Sequence, residues 1–579
     1  MSHATSKATT YAAPATMPGN MMQSPLRIID LLRHGAQQHG HKAIVSRTSD
    51  MDIVETTYAA TMQRTAQLAH ALDKLGVAPG DCIASLAWNT HRHVELYYAV
   101  SGIGAILHTV NPRLFSEQIE YIINHAADIY LFVDLDFVEL IVPLLPKLPT
   151  VKGIIVLSNS EAMPAASIFS GASGELELHC YEQLLQSKPQ QYDWPYFADD
   201  QAAMLCYTSG TTGNPKGVLY SQRSVVLHAQ ATVSASLLDL HEDSVLLPMV
   251  TMYHVGAWGA PYAAPLAGCT LVLPGNGTSG PAMWELIDRY QVNVALGVPT
   301  IWLSLHNYLT EHDITELSLK RVCVGGAASP LGLVKTYWET YGIYWQPIWG
   351  MTETGPLVTS APPTAAIMQL PLEQRYQMQI TAGRAVFGIE MEIFDSNDNP
   401  APHDGESSGE LRVRGPWICQ QYFRHDDRSS FPDGWLATGD IAVIDAAGYM
   451  KVVDRKKDVI KSGGEWISSL DIENIVSQHP QVNESCVIGV RHPKWDERPL
   501  LLVQLKAAST TAEDKLKESI YQFMQGKIAK WWTPDDIVFV DSLPHTGTGK
   551  LTKNTLRDEY QDYLIQRQQQ SAVHTRTSS

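Results

Sequence analysis

The chain has 579 residues, too many for one hydrophobic core, so at least two domains are expected. Its 45% hydrophobic and 18% charged residues describe an ordinary globular protein, and a formal charge of −18 argues against a nucleic-acid partner, which would want a basic face. Seven scattered cysteines without Cys-x-x-Cys spacing exclude a disulfide framework and a cysteine zinc site, and point to a reducing, cytoplasmic setting.

Residues 1–25 are rich in Ala, Thr, Met and Pro but lack the apolar stretch of a signal peptide and the arginines of a transit peptide, so a disordered tail is expected. No apolar run reaches the roughly 18–20 residues of a membrane span, which leaves only peripheral membrane contact. From Leu26 onward, strand-like runs alternate with amphipathic stretches. Leu68, Leu72 and Leu75 stand at helical spacing with Gly76 as C-cap, followed by the strands Cys82–Ala87, Ala105–Leu107, Ile129–Val133 and Gly153–Leu157. The stretch from Glu161 to Gln191 has little pattern and reads as an insertion or loop. Strands resume at Val245–Leu247, Thr270–Leu273, Val292–Leu296 and Arg321–Val324. Strands separated by helices predict an α/β fold with mainly parallel sheets covered on both faces. Between Gly383 and Val453 the pattern changes to short alternating strands with Gly and Asp, the mark of antiparallel sheet or a small distorted β-barrel. The charged break at Asp454–Asp458 reads as a hinge near Asp454. It divides an N-terminal domain, 26–453, from a small mobile α+β domain, 454–563, in which Leu516, Ile520, Phe523 and Met524 share a helix face; 564–579 is a second tail.

The chemistry concentrates in Tyr207-Thr208-Ser209-Gly210-Thr211-Thr212-Gly213-Asn214-Pro215-Lys216-Gly217-Val218, directly after an apolar strand. Glycines let backbone approach an anion, hydroxyls and N–H groups donate to it, and Lys216 adds charge, so the loop suits a polyphosphate. It is not a Walker A loop, because Gly217 follows Lys216 where Ser or Thr would stand. Downstream lie Gly325-Gly326-Ala327-Ala328 at a strand-to-helix turn, Trp349-Gly350-Met351-Thr352-Glu353-Thr354, and Asp433-Gly434-Trp435-Leu436-Ala437-Thr438-Gly439-Asp440. Arg455, Lys461-Ser462-Gly463-Gly464-Glu465-Trp466 and His545-Thr546-Gly547-Thr548-Gly549-Lys550 complete the series.

The phosphate-loop run resembles that of the acyl-adenylate-forming, or AMP-binding, superfamily of acyl-CoA synthetases, peptide-synthetase adenylation domains and luciferases. The resemblance covers about Leu26 to Tyr563. It implies that Thr208 to Gly213 and Lys216 grip ATP, and that Thr208 and Glu353 hold Mg2+. Gly325, Gly326, Ala327 and the Trp349–Thr352 run would then frame adenine, with Trp349 replacing the usual tyrosine and its hydroxyl. Asp440 and Arg455 correspond to the ribose-binding residues, and Lys550 to the catalytic lysine presented during adenylation and then withdrawn. His545 stands where the pattern has Arg.

The Ser-Gly-Gly-Glu-Trp-Ile-Ser form of the hinge-proximal motif, with Pro493–Pro499 and Lys530–Asp535, is similar to medium- and long-chain fatty acyl-CoA synthetases. That likeness assigns Lys461, Ser462, Gly463, Gly464 and Trp466 to CoA, and His254, Trp258, Gly259 and Gly326 to the acyl pocket, with His254 beside the reacting carboxylate. It also implies a homodimer. The expectation is therefore an ATP-dependent ligase joining medium- to long-chain fatty acids to CoA through acyl-AMP. A ligase for another carboxylate, one loading a carrier protein, and a silent nucleotide or acyl-CoA sensor stay open.

Overall fold

Strands with apolar residues on both faces need cover on both faces, and the chain provides it twice. The computed structural model describes residues 19–169, 176–208, 214–462, 465–506, 512–545 and 551–567. A seven-stranded sheet runs in the spatial order Glu177–Cys180, Gly153–Val156, Tyr130–Val133, Cys82–Leu86, Ile106–Thr109, Ala202–Tyr207 and Gly217–Ser221. Its neighbours are parallel except for the last pair, an antiparallel hairpin. The edge strand Glu177–Cys180 falls inside the stretch read as an insertion. Its single fully buried residue, Cys180, explains why no apolar run marked it.

A nine-stranded sheet has Ala43–Arg47, Thr270–Leu273, Val245–Pro248, Val294–Gly297, Arg321–Val324 and Tyr344–Gly350 as parallel neighbours. Antiparallel strands finish both edges: Ile53–Thr57 on one side, Leu357–Ser360 and Arg384–Ala385 on the other. Helix Tyr58–Lys74 buries Leu68 and Leu72, and Gly76 follows in the left-handed region at φ +76°.

Helix His91–Gly102 lies between the two sheets, touching Ala43–Arg47 and Ala202–Tyr207, and all 12 of its residues are buried. Such a helix is ordinarily apolar all round; this one pairs its charges instead. Arg92 bonds Asp50 at 2.9 Å and Glu182 at 2.8 Å, while Glu95 meets Arg64 at 2.7 Å and the Tyr181 phenol at 2.6 Å. Burial pushes His91 and His93 down to about 4, so both are neutral near pH 7. Removing one member of such a pair leaves an uncompensated charge, at a cost of about 3–5 kcal/mol.

The region expected as a small barrel takes the form of an open four-stranded antiparallel sheet, Glu390–Phe394, Ser408–Arg414, Leu436–Ile444 and Met450–Arg455. The C-terminal domain is built on Ile460–Ser462, Glu465–Ile467, Val482–His492, Asp496–Leu505 and Asp536–Phe539. Leu516, Ile520 and Met524 of helix Glu513–Met524 are buried against it. At the expected hinge, the buried carboxylate of Asp454 accepts from the N–H and hydroxyl of Ser469 at 2.7 and 2.6 Å. Lys553 donates to the same hydroxyl at 2.6 Å and pairs with Glu473 at 2.7 Å. The C-terminal domain also extends beyond its expected end at Tyr563. Leu564 is buried in its core and Arg567 pairs with Asp536, because that stretch continues as helix instead of fraying into a tail.

Candidate active site

In parallel sheets, ligands meet the chain where strands end, since the loops there are free to vary. Three motifs leave the carboxyl ends of parallel strands: Thr208 follows Ala202–Tyr207, Gly325 follows Arg321–Val324, and Glu353 follows Tyr344–Gly350. The phosphate-loop ends are tied together: Thr208 N–H donates to the Lys216 carbonyl at 2.9 Å and Lys216 N–H to Thr208 Oγ1 at 3.4 Å. Ser209, Gly210, Thr211, Thr212 and Gly213 lie outside the described residues.

Glu353 is 6% exposed, and one carboxylate oxygen accepts the Tyr422 phenol at 2.8 Å. Burial raises its pKa; the Tyr422 hydrogen bond and the Arg455 and Lys216 charges pull the other way. The Lys216 ammonium stands over the Tyr422 ring, 4.8 Å from its centroid. The segment carrying Tyr422 also clasps both motifs by backbone: Cys419 N–H donates to the Glu353 carbonyl and Phe423 N–H to the Gly217 carbonyl, each at 2.8 Å. Sequence reasoning missed Tyr422, since no motif surrounds it.

Trp349 and Asp440 are joined directly, the indole N–H donating to Asp440 Oδ2 at 3.1 Å, and Arg455 grips Asp440 Oδ1 at 2.9 Å. Asp440 and Arg455 face each other across the third and fourth strands of the antiparallel sheet. Gly350 admits no side chain, because a Cβ there would stand 1.9 Å from the Pro356 carbonyl oxygen. Gly325 is closed in likewise, by the Ile348 carbonyl oxygen at 2.8 Å and the Trp258 ring at 3.3 Å; Gly326, at φ +79°, takes a backbone conformation suited to glycine. Ala327, Met351 and Thr352 follow in these two turns, and the Thr352 carbonyl accepts the Tyr220 phenol at 2.6 Å.

His254 opens an unusual turn. Val255, Gly256, Ala257, Trp258 and Gly259 all have positive φ, between +48° and +82°. A left-handed run of this kind costs roughly 1–2 kcal/mol at each non-glycine residue, and such strain is stored where function requires it. The turn forms one wall of a cavity lined by Met204, Tyr220, Val225, His228, Val255, Gly256, Gly259, Tyr262 and Gly355. Of the residues expected to line an acyl pocket, Gly259 borders this cavity, Trp258 lies against Gly325, and His254 and Gly326 are not among the residues lining it. His228, which carried no signal in the sequence, is pushed down to about 3 by burial. Its Nε2 accepts the Leu357 N–H at 3.0 Å, which places the single proton on Nδ1, 3.4 Å from Thr232 Oγ1.

Glu353 and Thr208 offer hard oxygen donors, and a carboxylate that burial drives toward protonation is one a divalent cation would relieve, so the site fits Mg2+. Lys461 and Ser462 belong to the C-terminal sheet, where Lys461 N–H donates to Glu497 at 2.9 Å and Arg498 donates to the Ser462 hydroxyl at 3.2 Å. Trp466 pairs by backbone with Lys461. Gly463, Gly464 and Lys550 lie outside the described residues. His545, just before the Lys550 run, bonds Glu484 at 2.8 Å.

Residues 32–423 match the model for the AMP-binding enzyme family, and residues 471–550 match its C-terminal domain. The chain belongs to the AMP-binding enzyme family. Among its relatives is a 3-methylmercaptopropionyl-CoA ligase of Ruegeria lacuscaerulensis, 44% identical over 95% of this chain and 100% of that one. A medium-chain-fatty-acid–CoA ligase of Ectopseudomonas oleovorans is 41% identical over 95% of this chain and 98% of that one. The fold matches that of an anthranilate CoA ligase solved with anthranoyl-AMP, with a TM-score of 0.80 at 26% identity over 92% of this chain and 98% of that one. As a family member the chain is an AMP-forming acyl-CoA ligase, with ATP and CoA as its co-substrates.

Proposed function

We propose that the enzyme joins aliphatic, fatty-type carboxylic acids to CoA in two steps. The carboxylate attacks the α-phosphorus of ATP, giving acyl-AMP and pyrophosphate; the CoA thiolate then displaces AMP to give acyl-CoA. The observation that carries this reading is the cavity beside the Thr352–Gly355 turn. Among the described residues, apolar, aromatic and glycine residues line it together with one neutral histidine, and no carboxylate is among them to hold a substrate ammonium. The 3-methylmercaptopropionyl- and medium-chain-CoA ligases among the relatives support aliphatic tails.

In this reading Thr208 and Lys216, with the hydroxyls and amides of 209–213, hold the ATP phosphates, and Trp349, Asp440 and Arg455 hold the nucleoside. Thr208 and Glu353 would hold Mg2+, which would offset the negative charge of the ATP phosphates. Lys550 stabilises the charge moving onto pyrophosphate; its domain then turns about Asp454 to bring Lys461, Ser462 and the following glycines to CoA. Seven free cysteines, six of them buried, support a reducing, cytoplasmic setting. No described helix is long and apolar enough to cross a membrane.

The test is pyrophosphate release with ATP and Mg2+ across linear acids of about four to eighteen carbons, with and without CoA. Acid-dependent release, with acyl-CoA and AMP formed once CoA is added, is expected. Acyl-CoA affinity without turnover would instead indicate a silent sensor.

A further inference from the structure

The left-handed turn from Val255 to Gly259 belongs to one sheet, but the stretch of chain that leads into it is gripped from the other. Strand Val245–Pro248 of the nine-stranded sheet keeps its ladder as far as Met249, whose N–H donates to the Leu296 carbonyl at 2.8 Å. Beyond that point stands Asn89, three residues past strand Cys82–Leu86 of the seven-stranded sheet and buried. Its Nδ2 donates to the Pro248 and Val250 carbonyls at 3.0 and 2.8 Å, and its Oδ1 accepts the Met252 N–H at 2.6 Å. Both hydrogens and the oxygen of the amide are therefore engaged by the stretch 248–252. The Met252 carbonyl is held as well, by the phenol of the buried Tyr97 at 2.5 Å.

The Met252 N–H and the Thr251 carbonyl belong to one planar peptide unit, so fixing the first fixes the second. The Thr251 carbonyl in turn accepts the His254 N–H at 3.1 Å and the Ala257 N–H at 3.3 Å. Asn89 thereby sets the direction in which the turn starts, and the turn supplies Val255, Gly256 and Gly259 to the cavity. Asn89 is itself anchored on both sides. The Trp88 N–H donates to Asp134 Oδ2 at 2.6 Å, the Asn89 carbonyl accepts the Gly275 N–H at 3.1 Å, and the His91 N–H donates to Ser46 Oγ at 2.9 Å. The same seven-stranded sheet carries the phosphate loop: Thr208 leaves the same carboxyl edge as Asn89, two strands away.

We infer that Asn89 is a positioning residue for acyl-AMP formation: it ties the turn beside the cavity, on one sheet, to the edge that carries the phosphate loop, on the other, and so keeps the substrate carboxylate in line with the α-phosphorus of ATP. This rests on the two-step ligase reading. Asn89 acts through the backbone of 248–252 and not on the reacting atoms. Those atoms must meet at about 3–3.5 Å, and a displacement of about 1 Å can cost roughly a hundredfold in rate.

The test is the single-turnover rate constant of acyl-AMP formation, which does not depend on the fraction of active enzyme, with ATP, Mg2+ and the linear acid that wild type uses best. It is measured beside the Kd for ATP in wild type, Asn89→Ala, Tyr97→Phe and Ser318→Ala. Asn89→Ala should slow the step about 10–100-fold and leave the Kd for ATP within about threefold, because the phosphate loop and its strand are untouched. Tyr97→Phe, which keeps the ring and releases only the Met252 carbonyl, should slow it about three- to tenfold. Ser318 is the control for stability alone. Its hydroxyl donates to the Ile287 and Val292 carbonyls, at the amino end of strand Val294–Gly297 and away from the site, so its loss should leave the rate constant unchanged. If Asn89→Ala fails to fold, Tyr97→Phe against Ser318→Ala decides. A rate constant within about threefold of wild type in folded Asn89→Ala, equal slowing in Ser318→Ala, or an ATP affinity that falls as far as the rate would overturn the positioning role and leave the ligase reading intact. Formation of acyl-AMP from no acid at all in wild type would overturn both.

Discussion

At the scale of single residues, the centre of the site is held by side chains outside every motif. Tyr422 orients Glu353 through its phenol and seats Lys216 on its ring. Tyr422→Phe removes only the phenol, and a hydrogen bond to a buried charged group contributes about 1.5–3 kcal/mol, so acid-dependent pyrophosphate release should fall roughly 10–100-fold. An unchanged rate would deny Tyr422 that part. His228 gives a second prediction. Its folded pKa, about 3, lies below the ordinary 6.5, so its contribution to stability is whole above about pH 6.5 and is lost as pH falls toward about 3. Urea unfolding should show the stability gap between wild type and His228→Gln narrowing by about 1.4 kcal/mol per pH unit between about pH 6 and 4. A constant gap would mean that His228 does not titrate with folding. Thr208, Glu353 and Asp440 could be proposed from the sequence because the expected ligand chemistry demands fixed residue types beside glycines. The sequence could not disclose Tyr422 or His228, which reach the site from distant segments and whose types are equally at home in any core. Trp349 was half legible: its stacking face was evident, but not that its indole N–H would meet Asp440.

At the scale of elements, the parallel strands were readable because burial on both faces leaves an unbroken apolar run, as in Gly153–Val156, all four residues of which are buried. Edge strands such as Glu177–Cys180 lack that run and were lost. The left-handed turn from Val255 to Gly259 was also invisible, since three of its five residues are types that avoid positive φ. The surrounding packing imposes that conformation. Two substitutions separate strain from crowding. In Gly256→Ala the new Cβ stands 3.3 Å from the flexible end of Met204, so only the backbone penalty of roughly 1–2 kcal/mol applies. In Gly259→Ala it stands 2.8 Å from the doubly held His228 ring, and overpacking raises the loss to roughly 2–5 kcal/mol. Thermal unfolding should therefore rank Gly259→Ala well below Gly256→Ala. Equal melting temperatures would place the wall of the cavity elsewhere.

At the scale of the whole molecule, Asp454 of the expected hinge is held by Ser469 in a cluster with Lys553 and Glu473. The charged break and the change of strand pattern suggest the division, whereas the burial of the Asp454 carboxylate depends on contacts with residues well downstream. If the domains alternate between two settings, Lys550→Ala should slow acyl-AMP formation at least a hundredfold while sparing the reaction of preformed acyl-AMP with CoA. Equal loss in both halves would contradict the alternation. The central claim is that the substrate carboxylate itself attacks the α-phosphorus of ATP. It is tested most directly by supplying octanoate labelled with oxygen-18 in the carboxylate, together with ATP, Mg2+ and CoA, and weighing the products. The account predicts one labelled oxygen in AMP and none in pyrophosphate; ADP with label in inorganic phosphate would contradict it.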